Sequence, residues 1–430
     1  MSAAKGASAA TKRAPAAAPV LRGPQRERHE PDWVLLLAVV ALAALGILMV
    51  YSSTGALGLL DQNQFETVGP QALWGVLGVV AMLVVMRIDY RYLRAISVPL
   101  LIIALVLLVV VAFGGIGPLR AINTNGSSRW LQIGPLPSMH PGELAKLALV
   151  IYLAHWLAKR SGRVTSFTEG LMPFLIILGA VVGLVYFEPD LGTAAVIGLT
   201  GMTMFFVAGG RLAHFALLVP AAVAAVGVGM MVKQDYQLDR IQAFLNPWAY
   251  QNDIGHQTVQ GLLALGMGGA TGIGLGQSVQ PTTAISLPQS QNDFVFALLG
   301  QELGFIGAVI VIGLYLLVAY RGIRIALGAP DTFGALLAVG ITAWLVIQAF
   351  INIGVVVVLI PITGITLPFI SAGGSSLLVS FAAIGILLSI SREILPRGTW
   401  NDADSDRGRR HRRPRLPGAG RREVPARAGA

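Results

Sequence analysis

Residues 96–114 read ISVPLLIIALVLLVVVAFG, an apolar run without one charged side chain. Its length suits a helix crossing a bilayer core about 30 Å thick. A segment in that environment must satisfy its own backbone hydrogen bonds, which a helix does within itself. Working outward, comparable runs recur near 33–53, 69–87, 142–158, 170–187, 190–209, 212–232, 294–320, 332–358 and 373–391. The run at 142–158 is the shortest and carries charge. The pattern predicts an all-α integral membrane protein of about ten transmembrane helices over residues 33–395.

The composition agrees. Of the 430 residues, 55% are hydrophobic and only 12% charged, about half the roughly 25% usual in soluble domains. The absence of cysteine excludes disulfides, thiolate metal sites and cysteine nucleophiles. The net charge of +10 resembles a nucleic-acid signal until the charges are placed. With the N-terminus inside, Arg120, Arg129, Lys233 and Arg240 are the only Lys or Arg on outer loops, and Lys146 lies within a helix. The others fall on the inner side, so the positive-inside rule puts both termini in the cytoplasm. No nucleic-acid partner is expected.

Residues 1–32 are basic and rich in Ala and Pro, without the apolar core of a cleaved signal, and read as a disordered cytoplasmic tail. Residues 396–430, with the run Arg407-Gly408-Arg409-Arg410-His411-Arg412-Arg413, read as a second. That run could meet anionic headgroups or a partner, or simply fix topology. Two outer loops exceed a mere connection: 115–141, and 233–293 between helices 7 and 8. The second contains Phe244, Trp248, Leu262, Leu263 and Leu265, which favours order. Chemistry is therefore expected on the outer face.

Ionisable residues at membrane depth are candidates for function. Glu143 and Lys146 share a helix face and could pair, either to hold helices in register or as a polar floor under a substrate headgroup. Asp190, in the turn Glu188-Pro189-Asp190, could cap the next helix or serve a site. Ser290 and Asp293 have capping-box spacing. Asp293 could instead be a general base, its pKa raised by partial desolvation. Arg240 and Arg129 could hold phosphate oxygens or anchor to headgroups. The glycines from Gly266 to Gly276 suit either a phosphate nest or close packing. In Pro368–Ser376, the residues Ser371, Gly373, Gly374 and Ser375 could present N–H groups to an anion or pack tightly. His140, His155, His214 and His256 lack metal-ligand spacing.

At these residues the chain resembles the SEDS family (shape, elongation, division and sporulation), the FtsW/RodA/SpoVE group. The matching segments are Asn125–Trp130, Pro141–Lys146, Glu188–Thr193, Arg240–Trp248, Gly274–Gln280, Asn292–Gly307 and Pro368–Ser376. Asn246-Pro247-Trp248 and Gly274–Gln280 look closer to the division branch, FtsW. Departures are Asn292 for Thr, Gln301 for Glu, Ala372 for Tyr, Pro281 for Lys and His140 for Gln.

The resemblance implies a peptidoglycan glycosyltransferase in the bacterial cytoplasmic membrane. It would polymerise lipid II with inversion at the sugar and release undecaprenyl diphosphate, with Asp293 as the catalytic carboxylate. Arg240, Arg129, Glu143, Lys146, Asp190, Ser371, Gly373, Gly374 and Ser375 would line the substrate site, and a divalent cation (Mg or Mn) could assist. A class B penicillin-binding protein transpeptidase and other divisome proteins are the implied partners. A lipid II flippase and an elongation-type polymerase are the alternatives. The absence of an internal repeat and the one-sided polar sites weigh against a transporter.

Overall fold

A computed structural model describes residues 29–58, 64–117, 119–124, 127–134, 138–160, 162–211, 213–214, 216, 234–277 and 292–394. Both outer parts of the tails, nearly all of the helix expected at 212–232, and Ser290 lie outside the described residues. The described helices are α1 (Trp33–Gly58), α2 (Gln64–Arg87), α3 (Leu93–Ala112), α4 (Pro141–Lys159), α5 (Met172–Phe187) and α6 (Leu191–Val207). They continue with α7 (Gln234–Leu245), α8 (His256–Gly268), α9 (Val295–Gly328), α10 (Thr332–Val356) and α11 (Gly374–Ser391). Among the described residues, six helical segments are long and apolar enough to cross a membrane, with shorter apolar helices at Gln71–Arg87 and Leu191–Val207. This is a multi-pass, mainly helical membrane fold.

The body is inside-out with respect to a soluble protein only at its rim. Leu37, Val76, Ile102 and Ile176 expose apolar side chains outward, as lipid contact requires. The centre is α4 and α10, with α6, α9 and α11 packed around α10 and α2 laid along α11. Gly374 makes the last pairing possible, because a Cβ there would strike the indole of Trp74. The tight-packing reading of that glycine is the one the structure uses.

Two features depart from the expected uniform helices. The loop at 115–141 contains a three-stranded antiparallel sheet, β1 (Gly115–Ile116), β2 (Leu119–Thr124) and β3 (Ser127–Ile133), in that order. Ile122 pairs with Trp130 and Ala121 with Leu131, and Leu131 bridges to Met139 just before α4. Buried Leu131 packs with Val110 and Val111 at the end of α3. The all-α reading holds for the fold, and this loop adds a small sheet to it, with cross-strand pairs such as Ile122 and Trp130.

The second departure lies in α9, which is longer than expected and broken at Gly304, where φ is 69°. Glycine adopts that left-handed conformation without a Cβ clash. Four of the freed backbone groups bond to residues 269–274. Phe305 and Ile306 donate to the carbonyls of Gly269 and Ala270, while Ile273 and Gly274 donate to those of Gln301 and Glu302. Bonding of this kind is what makes a helix break tolerable at membrane depth.

At the end opposite the sheet, ion pairs fasten the helix termini. Asp331 caps α10 through the N–H of Gly334 (2.8 Å) and accepts from Tyr90 (2.9 Å), Arg91 (3.2 Å) and Arg94 (2.8 Å). Asp32 caps α1 and pairs with Arg321 at 2.6 Å. The N–H of His29 donates to the carbonyl of Arg392. The two described chain ends therefore meet at one end of the bundle.

Candidate active site

The site is organised by the connection between α10 and α11, residues 357–373, at the sheet end. Gln348 and Asn352 lie four residues apart on α10 and so share a face. Both are buried. Gln348 donates to the carbonyl of Thr366 (2.9 Å). Asn352 donates through Nδ2 to the carbonyls of Asp293 and Ile365, each at 2.7 Å. Arg240, in the middle of α7, donates to the carbonyl of Ile362 (3.2 Å).

Asp293 stands two residues ahead of α9, whose N-cap is Phe294 without a side-chain cap bond. The capping-box alternative would put Asp293 at the third helical position. The later start of α9 rules that placement out. Instead, the half-buried carboxyl lies against its own N–H and that of Phe294, with Arg240 nearby. Burial lifts its pKa above the usual carboxylate range. Those N–H groups and the Arg240 charge offset part of the rise. A carboxylate so placed is a stronger proton acceptor than one in water.

Glu143 and Lys146 pair at 2.7 Å in the first turns of α4. Lys146 also donates to Oε1 of Gln348 (2.6 Å), which accepts from the indole of Trp344 (2.8 Å). The pair is thus one side chain removed from Thr366 in the organising connection. Lys146 also lines a small, mainly apolar cavity with Leu149, Val150, Ile197, Thr200 and Met204.

Asp190 caps α6 by accepting from the N–H of Thr193 (3.0 Å) and lies 3.3 Å from Nε2 of His140. Nδ1 of His140 accepts from the N–H of Gly142 (3.1 Å), so the neutral ring carries its proton on Nε2 and donates it to Asp190. Burial raises the pKa of Asp190, but the His140 bond, the Arg129 charge and the Thr193 N–H hold it below the usual range. Its neighbour Glu188 is 1% exposed. Burial first, then the charge of Asp190, push Glu188 up to about 8 against the pull of Arg129. Arg129, projecting from β3, donates to the backbone carbonyls of Glu188 (3.4 Å) and Pro189. It fastens the sheet onto the α5–α6 turn.

The segment before α11 is satisfied internally. The hydroxyl of Ser371 accepts from the N–H of Leu367 (2.7 Å), and that of Ser375 from the N–H of His140 (3.1 Å). Gly373 is the N-cap of α11 and Gly374 packs on Trp74. These four residues therefore have structural roles in the entry to α11. The glycine-rich nest is likewise occupied: Ile273 and Gly274 seal the break in α9, and Gly276 donates to Ser52 Oγ (2.9 Å). Ser52 donates to the buried carboxylate of Glu302 (2.5 Å).

The structure therefore links Asp293, Arg240, Glu143 and Lys146 through one connection and two α10 amides, while Asp190 and Arg129 form a second cluster with His140 at the α5–α6 turn. Sequence reasoning passed over Gln348, Asn352 and Glu302. Polar side chains inside the apolar stretches 332–356 and 295–328 were the available signal. Among the described residues, no three His, Cys, Asp or Glu side chains gather to hold a metal ion.

Comparison with known proteins identifies the family and the fold. Residues 32–394 match the FtsW/RodA/SpoVE family, described as "Cell cycle protein". Stage V sporulation protein E of Bacillus subtilis is 42% identical over 367 residues, covering 85% of this chain and 98% of that protein. A probable peptidoglycan glycosyltransferase FtsW of Trichlorobacter lovleyi is 40% identical, covering 86% and 96%. Among solved structures, a chain of a peptidoglycan synthase complex matches with TM-score 0.69 and 29% identity, covering 85% of this chain and 98% of that one. The rod shape determining protein RodA of Thermus thermophilus matches with TM-score 0.61 and 28% identity, covering 85% and 98%. From its first helix to its last, the chain belongs to the FtsW/RodA/SpoVE family.

Proposed function

We propose that this protein is a peptidoglycan glycosyltransferase that extends glycan strands from lipid II, with Asp293 as its general base. The observation that carries the reading is the Asp293 carboxyl: half-buried, ahead of α9, beside Arg240 and tied to the α10–α11 connection. In this reaction the 4-hydroxyl oxygen of the acceptor sugar bonds to the anomeric carbon of the donor. The bond from that carbon to the lipid diphosphate breaks, with inversion. Asp293 takes the hydroxyl proton, a role worth about 10²–10⁴-fold. Arg240 and Arg129 meet the negative charge on the leaving diphosphate.

The relatives named peptidoglycan glycosyltransferase support this activity, and the FtsW names among them support a division role. Orientation follows from the charges: the sheet end faces outside, and the end where His29 meets Arg392 faces the cytoplasm. A class B penicillin-binding protein transpeptidase is the proposed partner. The match to a chain from a complex coordinating polymerization and crosslinking supports it. Other divisome proteins would join on the same reading. A divalent cation (Mg or Mn), which is usually held by one or two carboxylates together with substrate phosphates, would share the diphosphate charge with the arginines.

The break in α9 gives one observation in favour of a lipid II flippase, since discontinuous helices are common in transporters. It is sealed by backbone bonds on both sides, which suits a fixed mount better. The deciding experiment supplies lipid II to the purified protein with its transpeptidase partner and reads glycan-chain length. Polymer is expected. Movement of lipid II across vesicles without any polymer would favour the flippase.

A further inference from the structure

We infer that Asn352 is a positioning residue for the reaction, acting through the backbone of Asp293. This inference rests on the reading of Asp293 as the base. Asn352 is 2% exposed, near the sheet end of α10. Its one NH₂ group sends its two hydrogens to two carbonyls, those of Asp293 and Ile365, each at 2.7 Å. That pattern fixes the amide's orientation, because the flipped form would set Oδ1 against two carbonyl oxygens. Among the described residues Oδ1 itself has no partner. An apolar side chain of similar size would leave both of these backbone carbonyls without the donor they now have, so packing alone does not explain an asparagine here.

The bond is placed where it controls geometry. Asp293 lies ahead of α9, outside that helix's own hydrogen-bond ladder. Beyond Gly304 the helix takes a new course, so Asp293 leads a short half-helix instead of a long rigid one. Residues 269–274 hold the far end of that half-helix, and Asn352 holds the near end. Asn352 also joins Asp293 to the connection that receives Arg240 at Ile362. The base and the cation that tempers its charge are thus referred to the same short stretch of backbone. A displacement of about 1 Å at such a group can cost on the order of 100-fold in rate.

The test uses Asn352→Asp and Asn352→Ala in the full-length protein with its partner and lipid II. Aspartate keeps the shape but removes both donors. Both variants should lose roughly 10- to 100-fold in kcat with KM for lipid II little changed. The acid limb of the pH–rate profile should shift. Asn352→Gln, which restores a donor, should recover part of the loss. Backbone hydrogen exchange at residues 292–296 should rise in the aspartate variant while the melting temperature shows the protein folded.

A purely structural amide would lower the active fraction without moving the pH limb or the exchange at 292–296. Wild-type kcat, pH limb and exchange in folded Asn352→Asp would overturn the inference. The exchange measurement does not depend on the role of Asp293. Retained polymerisation by Asp293→Asn, run alongside, would instead overturn the reading of the base.

Discussion

Lys146 and Glu143, one helical turn apart on α4, form a 2.7 Å ion pair that is almost wholly buried. Gln348 of α10 accepts a further bond from the same ammonium at 2.6 Å. Removing one partner leaves a charge in apolar surroundings, at a cost of about 3–5 kcal/mol. Lys146→Met and Glu143→Gln should therefore each destabilise strongly, and the double variant by much less than their sum. Thermal unfolding of all three in detergent measures the coupling. Additive effects would show that the pair does not interact.

Glu188 gives a pH-dependent stability with a defined sign. Its folded-state pKa is pushed up to about 8 by burial and by Asp190, above an unfolded value of about 4.3. The folded state then binds more protons than the unfolded one between those values, so stability falls as pH rises through that window. Glu188→Gln mimics the protonated form. Its melting temperature should change less between pH 5 and pH 9 than that of the wild type. Equal slopes for the two proteins would remove Glu188 as the source.

Arg240 lowers the pKa of Asp293 against the larger effect of burial. Arg240→Gln should raise it further, moving the acid limb of the pH–rate profile to higher pH. The variant should lose more activity at pH 6 than at pH 9. Arg240→Lys should keep the limb near its original position. A pH-independent loss in the Gln variant would confine Arg240 to substrate contact.

How much of this was legible in the sequence follows from what each signal depends on. Apolar length is local, so the crossings were readable at 96–114 and elsewhere. Glu143 and Lys146 were readable as a pair because helical spacing alone puts them together. The sheet was missed although Asn125-Gly126 stands between two short runs, a hairpin signal in its own right. The break at Gly304 was not readable, because glycine is also common in packed membrane helices. The roles of Asn352 and Gln348 depend on Asp293, Ile365 and Thr366 folding back against α10. Such contacts have no local signature. The capping box at Ser290 and Asp293 misled because it presumes a helix start that the chain delays to Val295.

Orientation can be tested directly because the protein has no cysteine. Single cysteines at Gln251 and at Gly418 would each be the sole thiol. In intact cells a membrane-impermeant reagent should label the first and spare the second. The reverse pattern would place the sheet end in the cytoplasm.

The central claim is that the Asp293 carboxylate accepts the proton during glycan extension. Asparagine occupies nearly the same volume as aspartate and keeps a polar group against the N–H groups of Asp293 and Phe294, but cannot serve as the base. The most direct measurement is glycan-chain formation from lipid II by purified Asp293→Asn with its partner, alongside melting temperature and lipid II binding. The account predicts a folded protein that binds lipid II and extends chains at least about 100-fold more slowly. Chain extension at the wild-type rate would contradict it.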